Sequence, residues 1–230
     1  HTLALFAHPA PVDSVRWLDR QARHLVLTQA PLTVAPLLQA IVQAGSTPQA
    51  WVFTSATLGD SDDLQWFTRT CGLPEARTLR VASPFDYATQ ASLYVPPDAP
   101  PVQAQAAHSA FVARLAQVGA QQLGGRTLVL TTTLKALAAI GQQLQQQFGA
   151  AGGLFTAIDV LVQGQGSKHA LLERFRQGTV HGRGCVLVAS ATFWEGVDIA
   201  GDALQLLIID KLPFAPPDDP LVQARTHQLE

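Results

Sequence analysis

Residues 186–201 read VLVASATFWEGVDIAG. The apolar run Val186 to Ala189 breaks into Ser190, Ala191 and Thr192, then the aromatics Phe193 and Trp194, then Glu195-Gly196 and a lone Asp198. The run has the length and composition of a buried strand. Hydroxyls and carboxylates at the end of such a strand cost desolvation unless something there uses them. The stretch therefore predicts a strand that carries polar groups to a site.

The same pattern recurs outward along the chain. Strands are predicted at Thr127–Thr131, Asp159–Val162, Cys185–Ala189 and Leu206–Ile209, with a shorter one at Leu93–Val95. Helices are predicted between them at Gln103–Leu123, Leu134–Phe148 and Lys168–Arg176. Alternation of this kind implies βαβ units, an α/β fold and a mostly parallel sheet flanked by helices. Ligands of such sheets gather at the carboxyl ends of the strands. In the N-terminal part, Trp17–Asp19 and His24–Leu27 read as short strands, Val34–Ala44 as a helix, Ala50–Thr54 (AWVFT) as a strand and Asp62–Cys71 as a helix. The turn-rich stretch at Ser83–Tyr87 and the stiff proline run Pro96–Pro101 mark a change of character. The expected division is residues 1–82 and 83–230.

Composition narrows the classes. With 47% hydrophobic and 14% charged residues the chain folds rather than remaining disordered. A net charge of −2 carries no bulk argument for nucleic acid or membrane. No apolar stretch approaches the roughly 20 residues that cross a bilayer, and the expected location is the cytoplasm, with no membrane partner. Cys71 and Cys185 stand far apart with no ligand-spaced neighbour, so no metal site is expected in these residues. The chain opens on His1 and contains no Met, which predicts a piece of a longer polypeptide.

Four loops follow apolar strands and carry hydroxyls, amides or a carboxylate: Ser55–Leu58, Thr131–Thr133, Gln163–Lys168 (QGQGSK) and Ser190–Asp198. Each hydroxyl has two readings, a helix cap worth about 1 kcal/mol or a neutral cradle for phosphate. QGQGSK fits neither GxxxxGK[ST] nor GxGxxG. Neither a lysine phosphate loop nor a magnesium-holding pair of acids is written here, so the central parts of nucleoside triphosphate hydrolysis are missing from these residues. The histidines, His108 and His181 among them, read as surface or helix-end residues.

The residues also carry a resemblance. SATL at 55–58, SPFDY at 83–87, VLTTT at 129–133, VQG at 162–164, FWEGVDIAG at 193–201 and DKLPF at 210–214 stand in the order of the motif series of the DinG and XPD-like superfamily 2 DNA helicases, and are most similar to the bacterial DinG-like YoaA group. The resemblance implies that residues 83–230 form a RecA-like, P-loop-NTPase-like second helicase domain, truncated before the last motif. Residues 1–82 would be the end of an Arch insertion and the last part of the first RecA-like domain. ATP with Mg2+ would be the cofactor, and the phosphate loop, the DExH motif and an iron–sulfur cluster would lie upstream of His1. The arginine-finger motif would lie beyond Glu230.

By the same resemblance, Ser55, Thr57, Glu195, Gly196 and Asp198 would couple nucleotide state to the motor. Thr131, Thr132, Gln163, Lys168, Trp194 and Lys211 would contact single-stranded DNA. For Phe193 and Trp194, interdomain packing and base stacking both stay open. A DNA polymerase clamp-loader accessory subunit is the protein partner implied. The implied activity is ATP-dependent 5′-to-3′ DNA unwinding in repair or replication restart, with residues 1–230 alone inactive. The alternative is a RecA-like module that holds DNA or a protein and never hydrolyses ATP.

Overall fold

A hairpin opens the described chain: β1 (Ser14–Arg20) pairs antiparallel with β2 (Leu25–Pro31). The helices α1 (Ala35–Gln43), α2 (Gln65–Thr70) and α3 (Tyr87–Gln90) follow. Then come α4 (Gln105–Leu123), β3 (Thr127–Leu130), α5 (Leu134–Ala150), β4 (Ile158–Val162), α6 (Lys168–Arg176), β5 (Gly184–Ala189), β6 (Leu206–Ile209) and α7 (Pro220–Leu229). The structure is a computed structural model and describes residues 4, 6–20, 23–44, 49–150, 158–195 and 197–229. By Cα proximity the chain divides into His1–Leu93 with Ala215–Glu230, and Tyr94–Phe214. The division falls eleven residues beyond the expected one after residue 82, and Ala215–Glu230 belongs to the first unit.

In the first unit the pairing of Arg16 with Gln29 across the hairpin is reinforced by Arg16 Nε donating to Gln29 Oε1 at 2.7 Å. Gln39 Nε2 donates to the Gly72 carbonyl at 2.6 Å, tying α1 to the turn after α2, and Arg225 Nε of α7 donates to the Leu32 carbonyl. Among the described residues of this unit, Leu64 is the one buried hydrophobic side chain. The strands expected at Ala50–Thr54 and Leu93–Val95 are not formed. Strand propensity counts for little without a ladder to complete, since each N–H and C=O then turns to water. No described segment pairs with either stretch, and Val52 remains 84% exposed.

The second unit holds the expected parallel sheet, in the order β4-β5-β3-β6. Period-2 alternation sorts its side chains into two layers. Val129 of β3 with Val186 and Val188 of β5 packs under α4 and α5, against Val112, Ala116, Ile140 and Leu144. Leu128 and Leu130 with Cys185, Leu187 and Ala189 face the other way, against Leu171, Leu172 and Phe175 of α6 and against Phe193. Both central strands are buried along their whole length. Small residues let the first layer close tightly: a Cβ on Gly119 of α4 would stand 2.3 Å from Leu206 Cδ2. Gly124 then ends α4 in the left-handed region at φ 62°.

Charged side chains staple the amino-terminal end of this sheet. Asp159 accepts from Arg174 Nη2 and from Arg183 Nε, each at 2.7 Å, joining β4, α6 and the entry to β5. Burial raises the Asp159 carboxyl, but the hydrogen bonds and charges of Arg183 and Arg174 outweigh it and hold its pKa below the ordinary value. A lowered carboxylate adds stability above its unfolded pKa and loses it as pH falls through the folded one. Asp159→Asn is therefore expected to melt below the parent at pH 7, with the gap closing below about pH 4. A gap that stays constant from pH 7 to pH 3 would remove the ion pairs as its cause. Nearby, burial pushes the Cys185 thiol up to about 11, which keeps it protonated and inert.

Candidate functional site

Thr131, Gln163 and Ser190 each follow the last residue of a strand, so β3, β4 and β5 bring their loops to one rim at the carboxyl end of the second unit's sheet. The loops are bonded to each other. Thr131 is 0% exposed, and its hydroxyl donates to the Ala189 carbonyl at 3.2 Å, with the Thr133 carbonyl at 3.3 Å as the alternative acceptor. Trp194 Nε1 donates to the Thr131 carbonyl at 3.2 Å. Gln163 Oε1 accepts from the Ser190 backbone N–H at 2.7 Å, so its amide closes the end of β5. Ser190 itself is buried.

Two hydroxyls at the rim act as helix caps. Thr133 Oγ1 accepts from the Ala136 N–H at the start of α5, and Ser167 Oγ accepts from the Ala170 N–H at the start of α6, each at 3.2 Å. Lys168 stands 5.1 Å over the Phe193 ring and donates to the Thr192 carbonyl, fastening the QGQGSK loop to the turn after β5. Phe193 is 2% exposed and belongs to the unit's own core, so neither interdomain packing nor base stacking describes it. Trp194 is half-buried against the same core.

The carboxylates are set differently. Arg176 grips the Asp198 carbonyl with Nε at 3.0 Å and Nη2 at 2.8 Å, which fixes the backbone there while the Asp198 side chain stays exposed. Glu195 is also exposed, and Gly196 lies outside the described residues. Ser55 and Thr57 sit in the first unit, exposed, with Ser55 Oγ accepting from the Thr57 N–H at 3.2 Å.

Asp210, at the end of β6, is a residue that the sequence reading quoted without assigning a role. It is 8% exposed, and its Oδ1 accepts from the Lys211 N–H at 2.7 Å and the Thr132 N–H at 3.2 Å, which joins the β6 exit to the loop after β3. Burial raises its pKa, against the Lys211 and Thr132 hydrogen bonds and the charges of Lys211 and His108. His108, half-buried on α4, places Nε2 2.9 Å from the Asp210 carbonyl and Nδ1 2.8 Å from the Pro100 carbonyl. The signal for Asp210 was present: an acid closing an apolar strand, as in residues 186–201. Thr132 Oγ1 is buried without a hydrogen-bond partner among the described residues, a cost of about 1–3 kcal/mol that an incoming donor or acceptor would relieve.

This rim can present exposed carboxylate, amide and ammonium groups on a rigid frame to a ligand crossing the strand ends. Residues 117–230 match the family described as helicase C-terminal domain. The ATP-dependent DNA helicase YoaA of Escherichia coli is 39% identical over 209 residues, 91% of this chain and 30% of that protein. The chain carries a helicase C-terminal domain of the DinG/XPD family. The ATP-dependent helicase DinG of Mycobacterium tuberculosis (strain H37Rv) is 34% identical over 232 residues, 97% of this chain and 32% of its own length. The 3′-5′ exonuclease DinG of Bacillus subtilis is 32% identical over 180 residues, 76% of this chain and 18% of that protein. The chain thus spans about a third or less of the relatives it matches.

The four-stranded parallel sheet of the second unit is the core of this helicase domain. Among the described residues no three His, Cys, Asp or Glu side chains gather to hold a metal ion. No described helix is long and apolar enough to cross a membrane.

Proposed function

We propose that this chain is the C-terminal motor portion of an ATP-dependent 5′-to-3′ DNA helicase acting at single-strand/duplex junctions in repair or replication restart, in the cytoplasm. The observation that carries the reading is the Asp198 carboxylate, exposed at a strand-end loop where Arg176 holds the Asp198 carbonyl with two hydrogen bonds. An exposed carboxylate on a backbone anchored in this way, beside a rim of cross-bonded loops, suits a contact that forms and breaks as nucleotide turns over. On this reading Ser55, Thr57, Glu195, Gly196 and Asp198 answer to the nucleotide. Thr132, Lys168, Trp194 and Lys211 meet single-stranded DNA, and buried Thr131 and half-buried Gln163 hold those groups in place rather than touching the strand themselves.

Residues 1–82 are then the end of an Arch insertion and of the first RecA-like domain, and residues 83–230 the second. ATP, its Mg2+ and an iron–sulfur cluster belong to the remainder of the polypeptide, since no GxxxxGK[ST] loop occurs in this sequence. A clamp-loader accessory subunit is the protein partner on the same reading. The test is unwinding by the full-length polypeptide of duplexes with a 5′ or a 3′ single-stranded tail, with residues 1–230 as the control. The expected result is ATP-dependent unwinding from the 5′ tail and no hydrolysis by the control. Unwinding from the 3′ tail alone would overturn the polarity, and ATP hydrolysis by the control would overturn the division of labour.

One observation favours a second reading: a relative sharing this region bears the name of an exonuclease rather than a helicase. The chain would then be a RecA-like module that holds DNA or a protein without hydrolysing ATP. A full-length polypeptide that binds single strands and turns over no ATP would select it.

A further inference from the structure

A cleft of about 280 Å3 opens between the first turns of α4 and α5 and the exit of β6. Val102, Ala136 and Ala139 give it apolar walls, and Lys135 and Lys211 line it at the rim end. Neither lysine forms an ion pair among the described residues. Asp210 also lines the cleft, with one carboxylate oxygen engaged by the Lys211 and Thr132 backbone N–H groups, so the two ammonium groups outnumber its single acid. Gln143 lines the cleft two turns further along α5, about 12 Å from Lys135 by helical rise. Cations at one end, small apolar side chains between and an amide at the other match a phosphate, the faces of a planar ring and its polar edge.

We propose that this cleft takes one nucleoside phosphate, carried by a single-stranded DNA, with the phosphate between Lys135 and Lys211 and the base against Ala136 and Ala139. The proposal rests on the reading of the rim as a DNA-binding surface and extends it to a pocket on the α4–α5 side. The volume admits one small group, near the lower end of ligand pockets. Amide and ring edge without a fixed donor pattern give little choice among bases, so binding is indifferent to sequence.

The test is fluorescence anisotropy of this chain with a labelled thymidine oligomer across a salt series, with thymidine monophosphate and inorganic phosphate as competitors. Ala139→Leu fills the cleft without changing charge and is expected to weaken oligomer binding at least five-fold while leaving the slope of log K against log salt unchanged. Lys135→Gln, an exposed substitution that does not threaten the fold, is expected to reduce that slope by about 0.7, the loss of one phosphate contact on a single strand. Monophosphate should compete and inorganic phosphate should not; competition by both alike would assign the site to phosphate alone and overturn the base-binding part. Parent-like affinity in a folded Ala139→Leu variant, or an unchanged slope in Lys135→Gln, would overturn the cleft while the rim reading stands. Absence of oligomer binding by the parent chain would overturn both.

Discussion

Asp198→Ala in the full-length polypeptide is expected to lower DNA-stimulated ATP hydrolysis and unwinding by roughly 100-fold, the scale of a lost transition-state contact. The melting temperature should barely move. What holds this loop is the Asp198 carbonyl, gripped by Arg176, and alanine keeps that carbonyl. The side chain itself is exposed and packs nothing, so its removal costs function without costing the core. Single-strand affinity should change little, because the anionic side chain does not neutralise phosphate. Unwinding, affinity and melting measured on one preparation decide the matter. Near-normal unwinding would take Asp198 out of the mechanism.

Phe175→Ala is expected to have the opposite profile, destabilising the second unit by about 3–5 kcal/mol. Phe175 is 0% exposed and is the largest fully buried side chain among the described residues, packed from α6 onto the face of the sheet formed by Leu128, Leu187 and Ala189. Truncation leaves a cavity that close-packed strands cannot collapse into. The same layer contains Phe193, over which Lys168 sits, so loosening it would also free the turn after β5. Thermal unfolding followed by near-ultraviolet circular dichroism measures the loss. A destabilisation below about 1 kcal/mol would mean that the α6 layer is not an integral part of the core.

Each rim residue had a legible origin in the sequence, but its role did not. Thr131, Thr132 and Thr133 are three identical side chains in a row that end in three unlike states. Thr131 is buried and bonded to the next strand, Thr132 has an orphaned hydroxyl, and Thr133 caps α5. Chain direction at a strand end turns by an amount that periodicity does not encode, and that turn decides which hydroxyl faces inward. Lys168 is similar: its place at the start of α6 was written in the Ser-Lys pair, whereas its contacts with Thr192 and Phe193 depend on a loop 24 residues away.

By itself the sequence determined the α/β class, the strand–helix alternation from Gln105 to Ile209, and the family, because these rest on local composition, period and ordered motifs. The helix Lys168–Arg176 and the strand Leu206–Ile209 appear with the boundaries that period and composition predict. Tertiary structure alone decided the strand order β4-β5-β3-β6, the joining of β6 to the β3 loop through Asp210, and the failure of AWVFT to become a strand. The physical reason is the same in all three cases. Hydrogen bonds of a sheet, and of a buried carboxylate, are made with partners distant along the chain, so the free energy that selects them is absent from any local window.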